Sequence, residues 1–259
     1  MRVITLGVFI FMTGLLLFAD ILEAVNTKVT VRAKSKDAKF IGTSMGGVLV
    51  IIRDSETGEI LAKGFTIGET GDTKKIMLEP HKRGAMLSDE TAAKFETTMD
   101  IDEPKLFTVE VYAPYAQGQS KIKSTTQVWL IPGKDIVGDG IIVEIPGFAV
   151  DALTPQAHET FKLKEGKVAI PIRANVVMMC GCPVEPGGIW DANKYEVKAT
   201  VKHNGEVIDT LPLSYANKTS TFEGRLDVTK EGVYELIVYS YDPDTGNTGV
   251  DKTTFKISR

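Results

Sequence analysis

The sequence predicts an all-β protein with two tandem antiparallel β-sandwich domains behind an N-terminal signal or anchor segment, and one short helix near 88–95. Short runs of alternating or β-branched residues, such as Lys28–Ala33 and Thr126–Ile131, recur along the chain. About seven such runs fall within roughly the last 100 residues, with turn signals at the intervals typical of a sandwich. No pattern of helical period extends beyond about three turns.

Two hairpins are predicted by their turn residues. The β-branched run Gly47–Arg53 suits a central strand, and Glu59–Gly64 returns beside it. Asp54–Gly58 joins them as a turn in which the final glycine can take a positive φ. Asn204-Gly205 marks a second hairpin, because both central residues of a type I′ turn need positive φ.

The single helix and the domain boundary are predicted from local signals. Ser88 can cap a helix, acids follow it in the first turn, and helix-tolerant residues continue to Phe95. A Leu-Thr-Pro interruption within Asp151–Gln156 favours a division into residues 25–150 and residues 151–259.

The N-terminus has the layout of a secretory signal. Arg2 precedes an apolar run from Val3 to Ala19, which is followed by polar residues and small side chains. Residues 1–24 are therefore predicted to be a signal peptide cleaved after Ala24. The alternative is an uncleaved anchor, since about 17 apolar residues reach the lower limit for spanning a bilayer. Either outcome predicts a periplasmic or extracellular protein that meets a membrane only through this segment.

Composition limits the classes of partner. The chain has 259 residues, 43% of them hydrophobic and 25% charged, so it can bury an ordinary core. Its formal net charge is −4, and no basic run exceeds the pairs Lys74-Lys75 and Lys82-Arg83. Nucleic acid is not expected as a partner, because phosphate binding needs a concentrated basic surface.

Two segments resemble known sandwich families. Gly232–Gly249 starts a strand with glycine and an aromatic residue and runs into an Asp-x-x-Gly-Asn hairpin, and Thr253–Ile257 closes the set. This arrangement resembles the closing strands of bacterial immunoglobulin-like domains. Gly47–Gly71 resembles the start of a transthyretin-like or carboxypeptidase-regulatory-like sandwich. The resemblances imply a transthyretin-like domain at 25–150 and an immunoglobulin-like domain at 151–259, and they concern fold rather than function.

Motifs for catalysis are absent from the sequence. The three histidines, His81, His158 and His203, form no metal-ligand pair, and no nucleophile elbow, P-loop or dinucleotide fingerprint occurs. Cys180-Gly-Cys182 has neither the spacing nor the following histidine of a c-type haem site. We therefore predict a protein that is not an enzyme and holds no resident cofactor.

The segment Val176–Trp190 contains both cysteines and is the candidate site. If it continues as a strand, Met178, Cys180 and Cys182 share one face. The two cysteines would then be separated by roughly 6.6 Å along the chain. A disulfide needs a Cβ separation of about 3.5–4.5 Å, which the bend available at Gly181 would allow.

Three interpretations of these sulfur atoms remain open. The cysteines can form a structural disulfide, which an exported compartment favours. Alternatively, Met178, Cys180 and Cys182 form a soft-metal site for Cu(I). In the third interpretation the cysteines exchange disulfides with a partner or bridge to it.

Trp190 and the loop Asp242–Asp251 have structural and functional interpretations. Trp190 is expected to plug the core rather than to stack on a ligand. The loop is rich in oxygen ligands for Ca²⁺ but lacks an EF-hand spacing, so an ordinary Asx-rich hairpin is expected.

The function predicted from the sequence is that of an exported, non-catalytic binding or scaffold protein. Its partner is expected to be a protein or another component of the cell envelope. The alternative is a periplasmic Cu(I)-binding or thiol-disulfide redox protein that uses Met178, Cys180 and Cys182. A carbohydrate-active accessory domain is a weaker third class, since no exposed aromatic stripe is evident. The oligomeric state does not follow from the sequence.

Overall fold

The computed structural model describes residues 24–259, and all but the last residue of the predicted signal or anchor segment lies outside this range. The first eight strands are β1 (Val25–Ser35), β2 (Leu49–Asp54), β3 (Ile60–Phe65), β4 (Phe95–Ile101), β5 (Lys105–Ala113), β6 (Ile122–Leu130), β7 (Ile136–Ile145) and β8 (Phe148–Thr154). The second eight are β9 (Glu159–Lys162), β10 (Val168–Met178), β11 (Glu196–His203), β12 (Glu206–Pro212), β13 (Ser214–Tyr215), β14 (Thr221–Val228), β15 (Gly232–Tyr241) and β16 (Thr248–Ser258). No helix within residues 24–259 is both long and apolar enough to cross a membrane.

Four sheets arrange these strands as two successive sandwiches, which confirms the predicted fold class. The first sandwich contains the sheets β4-β1-β7 and β3-β2-β5-β6, and the second contains β13-β14-β10-β8 and β12-β11-β15-β16-β9. Pairing is antiparallel except between β1 and β7 and between β9 and β16, which are parallel. The predicted boundary between residues 150 and 151 falls inside β8, which pairs with β10. The domain limits remain a prediction.

Both predicted hairpins are confirmed. β2 and β3 pair across the turn at Asp54–Gly58, and β2 is an inner strand of its sheet. Asn204 and Gly205 join β11 to β12 with φ values of 51° and 91°, as a type I′ turn requires.

The predicted helix at 88–95 is wrong. Residues 88–91 form a loop and a turn, and Phe95 already begins β4. The Asp89 carboxylate accepts hydrogen bonds from the amides of Thr91 and Ala92, at 2.9 Å each, and so stabilises the turn. The Ser88 hydroxyl donates to Asp139 instead of capping a helix. The longest helical piece in residues 24–259 is a five-residue π-helical turn at Lys74–Leu78.

The irregular segment between β3 and β4, which we call the covering segment, covers the outer face of the sheet β4-β1-β7. Arg32 points outward from β1 but is only 4% exposed, because the segment lies over it. A small cluster of buried side chains, Phe40, Ile76 and Ala92, fills the space beneath the segment. The main core is one connected cluster that includes residues of both sandwiches, such as Val109 in β5 and Val176 in β10.

Candidate functional site

β10 ends at Met178, and the chain then turns instead of extending through the cysteines. The amide of Gly181 donates to the carbonyl of Met178 at 2.7 Å, and the amide of Met178 donates to the carbonyl of Cys182 at 3.1 Å. Gly181 has a φ of 77°, a conformation that glycine adopts without a steric penalty. This bend brings the Cα atoms of Cys180 and Cys182 to 5.4 Å, which is within the range for a disulfide.

Cys180 and Cys182 are joined by a disulfide in the structure. Met178, Cys180 and Cys182 are 0%, 1% and 5% exposed, so the structure buries all three predicted ligands. A bonded sulfur pair offers no thiolate, and thiolates are what a soft metal ion binds. Cu(I) binding at these residues therefore requires a reduced pair and stays a prediction. Within residues 24–259 no group of three or more His, Cys, Asp or Glu side chains is arranged to hold a metal.

The disulfide loop lies directly against the first sandwich. A Cβ atom placed on Gly181 would stand 2.7 Å from the Sδ atom of Met45, which belongs to a short 3₁₀ turn at Thr43–Met45. Met45 itself is 8% exposed. Sequence reasoning missed this contact, because Met45 precedes the loop by more than a hundred residues and no pattern links the two.

Trp190 forms a second connection between the sandwiches. Its indole nitrogen donates to the carbonyl of Asp37 at 2.9 Å, and the side chain is 5% exposed. The expectation that Trp190 plugs the core is confirmed. The loop that leads to Trp190 is fixed at Val184, whose amide donates to the Ser220 hydroxyl at 3.0 Å.

A third connection comes from the hairpin between β15 and β16. The fully buried Asn247 amide group accepts from the amide of Gly147 at 2.8 Å and donates to the carbonyl of Lys36 at 3.2 Å. The Lys36 ammonium donates to the carbonyl of Thr245 in the same hairpin at 2.7 Å. Together, Met45, Trp190, Lys36 and Asn247 define a junction between the two sandwiches, which we call the inter-sandwich junction.

The Asp242–Asp251 loop is an Asx-type hairpin, as expected. One carboxylate oxygen of Asp242 accepts from the amide of Asp244 at 2.9 Å, and the other accepts from the Thr245 hydroxyl at 2.6 Å. Asp242 is 2% exposed. Its oxygens therefore stabilise the turn that presents Asn247 to the first sandwich.

Burial and nearby acids shift two titrations at the inter-sandwich junction. Burial raises the pKa of Tyr195, and the carboxylates of Asp242 and Asp37 raise it further. Its ring packs edge-on against Phe148 with centroids 5.0 Å apart. The raised pKa keeps Tyr195 a neutral packing residue. Burial also raises the pKa of Asp37, with Asp242 adding to the effect.

A groove of about 420 Å³ adjoins the junction. Its lining is mostly apolar and backbone surface and includes Phe148, Met179, Gly249 and Val250. Its polar side chains are those of Gln119, Ser120 and Thr248. The lining contains no histidine, cysteine or carboxylate, so it offers neither an activated nucleophile nor a general acid–base pair.

Comparisons with known proteins find weak structural likenesses. No family model and no curated protein matches the chain. The fibronectin(III)-like modules of Clostridium thermocellum CbhA are 14% identical over 90% of this chain and 94% of theirs, with a TM-score of 0.30. The fimbrial tip protein Mfa3 of Porphyromonas gingivalis is 9% identical over 88% of this chain and 81% of its own, with a TM-score of 0.27.

An engineered protein is 15% identical to half of this chain, with a TM-score of 0.30, and the match spans only 24% of that protein. Likenesses of this size carry no argument about function. The fold class rests on the sheet topology, and the immunoglobulin-like and transthyretin-like assignments stay predictions.

Proposed function

We propose that this chain is an exported, non-catalytic binding or scaffold protein of the periplasm or cell surface. Its two sandwiches would present their edges and loops to a protein or another component of the cell envelope at a fixed mutual spacing. The observation that carries the proposal is the inter-sandwich junction, in which the buried side chains Trp190 and Asn247 bond to backbone carbonyls of the first sandwich. The signal-like N-terminus supports export.

The junction supports a fixed spacing because its polar groups depend on one another. Asn247 is fully buried, and its amide bonds Gly147 in the link between the sandwiches and Lys36 in the first sandwich. Separating the sandwiches would break the bond from Asn247 to Lys36 and the one from Trp190 to Asp37. A buried polar group that loses its partner costs about 1–3 kcal/mol, so small rotations at the junction are disfavoured.

The engagement of the reactive side chains supports a non-catalytic role. Cys180 and Cys182 are bonded to each other. His203 stacks on Tyr234 with ring centroids 4.5 Å apart, and its Nε2 lies 2.9 Å from the carbonyl of Glu231. His81 contacts the carbonyl of Lys75 at 2.8 Å. These contacts are with the chain itself and stabilise turns.

A distance measurement between the sandwiches tests the scaffold. Spin labels would be placed at two exposed positions, one in each sandwich, by Thr57→Cys and Thr210→Cys without reductant. We expect one narrow distance distribution that broadens when Trp190→Phe and Asn247→Ala are added. A distribution that is already broad in the otherwise native protein would contradict a fixed spacing. Recovery of the full chain in the cytosolic fraction of expressing cells would contradict export.

A second experiment distinguishes the proposed scaffold from the Cu(I)-binding or thiol-disulfide redox alternative. Protein purified without reductant would be assayed for free thiols and titrated with Cu(I) against a competing chelator, beside Cys180→Ser/Cys182→Ser. The proposal expects no free thiol and no tight Cu(I) binding. Tight binding of one ion per chain that is lost in the double variant would overturn the proposal in favour of the alternative.

A further inference from the structure

The two sandwiches have eight edge strands among residues 24–259, and seven of them carry a feature that hinders pairing with another strand. Such features include bulges, charges, proline, short length and covering loops. β9 and β13 have only four and two residues. β3, β8 and β12 lie beside register shifts. β4 exposes Glu96 and Asp100, and β7 is held by the loop at Leu87 and Ser88 through Asp139.

β6 carries only one of these features, a single charge at Lys123 near its first end. Its nine residues pair with nine residues of β5 in one continuous register, from Ile122 opposite Ala113 to Leu130 opposite Lys105. No charge or proline occurs from Ser124 to Leu130. Within residues 24–259, no backbone group of β6 forms a hydrogen bond outside its ladder with β5. A long and regular edge whose last seven residues carry no charge is a template for strand addition.

The sequence of β6 is complementary to itself in an antiparallel arrangement. A two-fold axis at Thr126 pairs all nine residues with the nine residues of a second copy. Lys123 then lies opposite Trp129 of the partner subunit, and both side chains are on the exposed face, with Trp129 62% exposed. The Lys123 ammonium is held by Glu110 of the same chain at 2.9 Å, so its aliphatic stem is the part that can pack on the indole ring. Directly opposed residues of antiparallel strands share a face.

The remaining pairs fit the same register. Thr125 lies opposite Gln127 of the partner subunit, so the neighbouring pair on the exposed face is polar and can form hydrogen bonds. Ile122 lies opposite Leu130 of the partner subunit on the core-facing side, where Leu130 is 1% exposed. A slip of one residue would oppose core-facing and solvent-facing side chains, and this mismatch disfavours that register.

We propose that β6 pairs with β6 of a second copy of this chain. The two four-stranded sheets would become one continuous sheet of eight strands, four from each copy. The interface is isologous, so assembly closes at the dimer. This inference goes beyond the proposed function, which holds for a monomer or a dimer. A monomer in solution would overturn the dimer and leave the proposed function standing.

Matched charge variants test the pairing. Thr125→Lys/Gln127→Lys places like charges opposite each other across the two-fold axis, and Thr125→Glu/Gln127→Glu does the same with the opposite sign. Both positions are exposed, so each variant should keep the circular dichroism spectrum of the native protein. Asp209→Lys/Thr210→Lys on the exposed edge β12 is the control for added charge.

The readout is sedimentation of residues 25–259 at tens of micromolar. We expect twice the monomer mass for the native protein and for the β12 control, and the monomer mass for each β6 variant alone. Mixing the lysine and glutamate variants should restore the doubled mass, because opposite charges then face each other. A native protein that is monomeric, a β6 variant that remains dimeric, or a mixture that fails to restore the dimer would each overturn the proposal.

Discussion

Arg32 shows how one buried cation can organise a segment that has no regular structure. Its guanidinium donates to the carbonyls of Ala92, Ala93 and Gly138 and lies 5.7 Å from the centre of the Phe40 ring. Burial lowers the pKa of Arg32, although the Asp139 carboxylate opposes this effect. The three carbonyls belong to the covering segment and to the bulged strand β7, so one side chain holds both against β1.

Removing this cation should destabilise the first sandwich strongly. Arg32→Met fills part of the space but leaves buried carbonyl groups without a donor. We expect the free energy of unfolding, measured in urea, to fall by about 3 kcal/mol. Arg53→Met is the matched control, since Arg53 lies 3.6 Å from Glu110 with its side chain 31% exposed. The control should lose less than about 1 kcal/mol, and equal losses would contradict the role given to Arg32.

Asp151 provides a prediction about pH. Its pKa is raised by burial and by the Asp251 carboxylate, against a hydrogen bond from Gln119. The folded protein thus holds this proton more tightly than the unfolded chain does. The stability contributed by protonated Asp151 is present below the unfolded pKa and is lost as pH rises through the folded pKa.

Asp151→Asn keeps an oxygen for Gln119 and removes the charge. We expect the variant to have a higher Tm than the native protein at pH 7, with a difference that shrinks as pH falls below about 4. Thermal unfolding followed by circular dichroism at pH 7 and at a pH below about 4 is the measurement. A difference in Tm that is the same at both values would rule out the charge as its cause.

At the scale of elements, the sequence predicted hairpins better than it predicted the segments between them. Asn204-Gly205 and the β2–β3 turn carry their conformation in local residues, so local reasoning was sufficient. The helix expected at Ser88 failed because distant groups bind the segment. Arg32 and Asp139 come from the neighbouring paired strands β1 and β7, and they bind Ala93 and Ser88 of this segment. Tertiary hydrogen bonds therefore override the helix propensity of this segment.

The conformation of the disulfide loop was predicted, but its surroundings were not, because only the former depends on local residues. The bend at Gly181 and the pairing of Cys180 with Cys182 are local, and they formed one of three interpretations of the sequence. The Met45 contact is not local. It shows that the loop lies against the other sandwich.

Gly181 allows this contact to be measured. Gly181→Ala adds a Cβ atom at a positive φ and at 2.7 Å from the Sδ of Met45. Gly58→Ala is the matched control, with a φ of 76° and nothing within 4 Å of the added atom. The free energy of unfolding of the control should fall by about 1 kcal/mol from backbone strain alone. We expect a clearly larger loss for Gly181→Ala in urea denaturation, and Met45→Ala in the same chain should recover part of it. Equal losses for the two glycine variants would contradict the contact.

At the scale of the whole molecule, contacts remote in sequence hold the sandwiches together. Asn247 and Lys36 are separated by 211 residues, and Trp190 and Asp37 by 153. No sequence period or motif marks such pairs, which is why the sequence predicted two sandwiches but not their junction. The continuous core and these bonds mean that neither sandwich presents a complete surface without the other.

This coupling predicts the unfolding behaviour of the protein. Residues 25–259 should unfold in one cooperative transition, because separating the sandwiches exposes shared core and breaks the bond from Asn247 to Lys36. Asn247→Ala leaves the Gly147 amide and the Lys36 carbonyl without this partner. We expect the free energy of unfolding to fall by about 2–4 kcal/mol. The exposed Asn26, in β1, provides the control Asn26→Ala, which should change stability by less than about 0.5 kcal/mol. Calorimetry would show a single peak for the native protein and a broadened or divided peak for Asn247→Ala. Two separate peaks in the native protein would mean that the sandwiches fold independently and that the junction does not couple them.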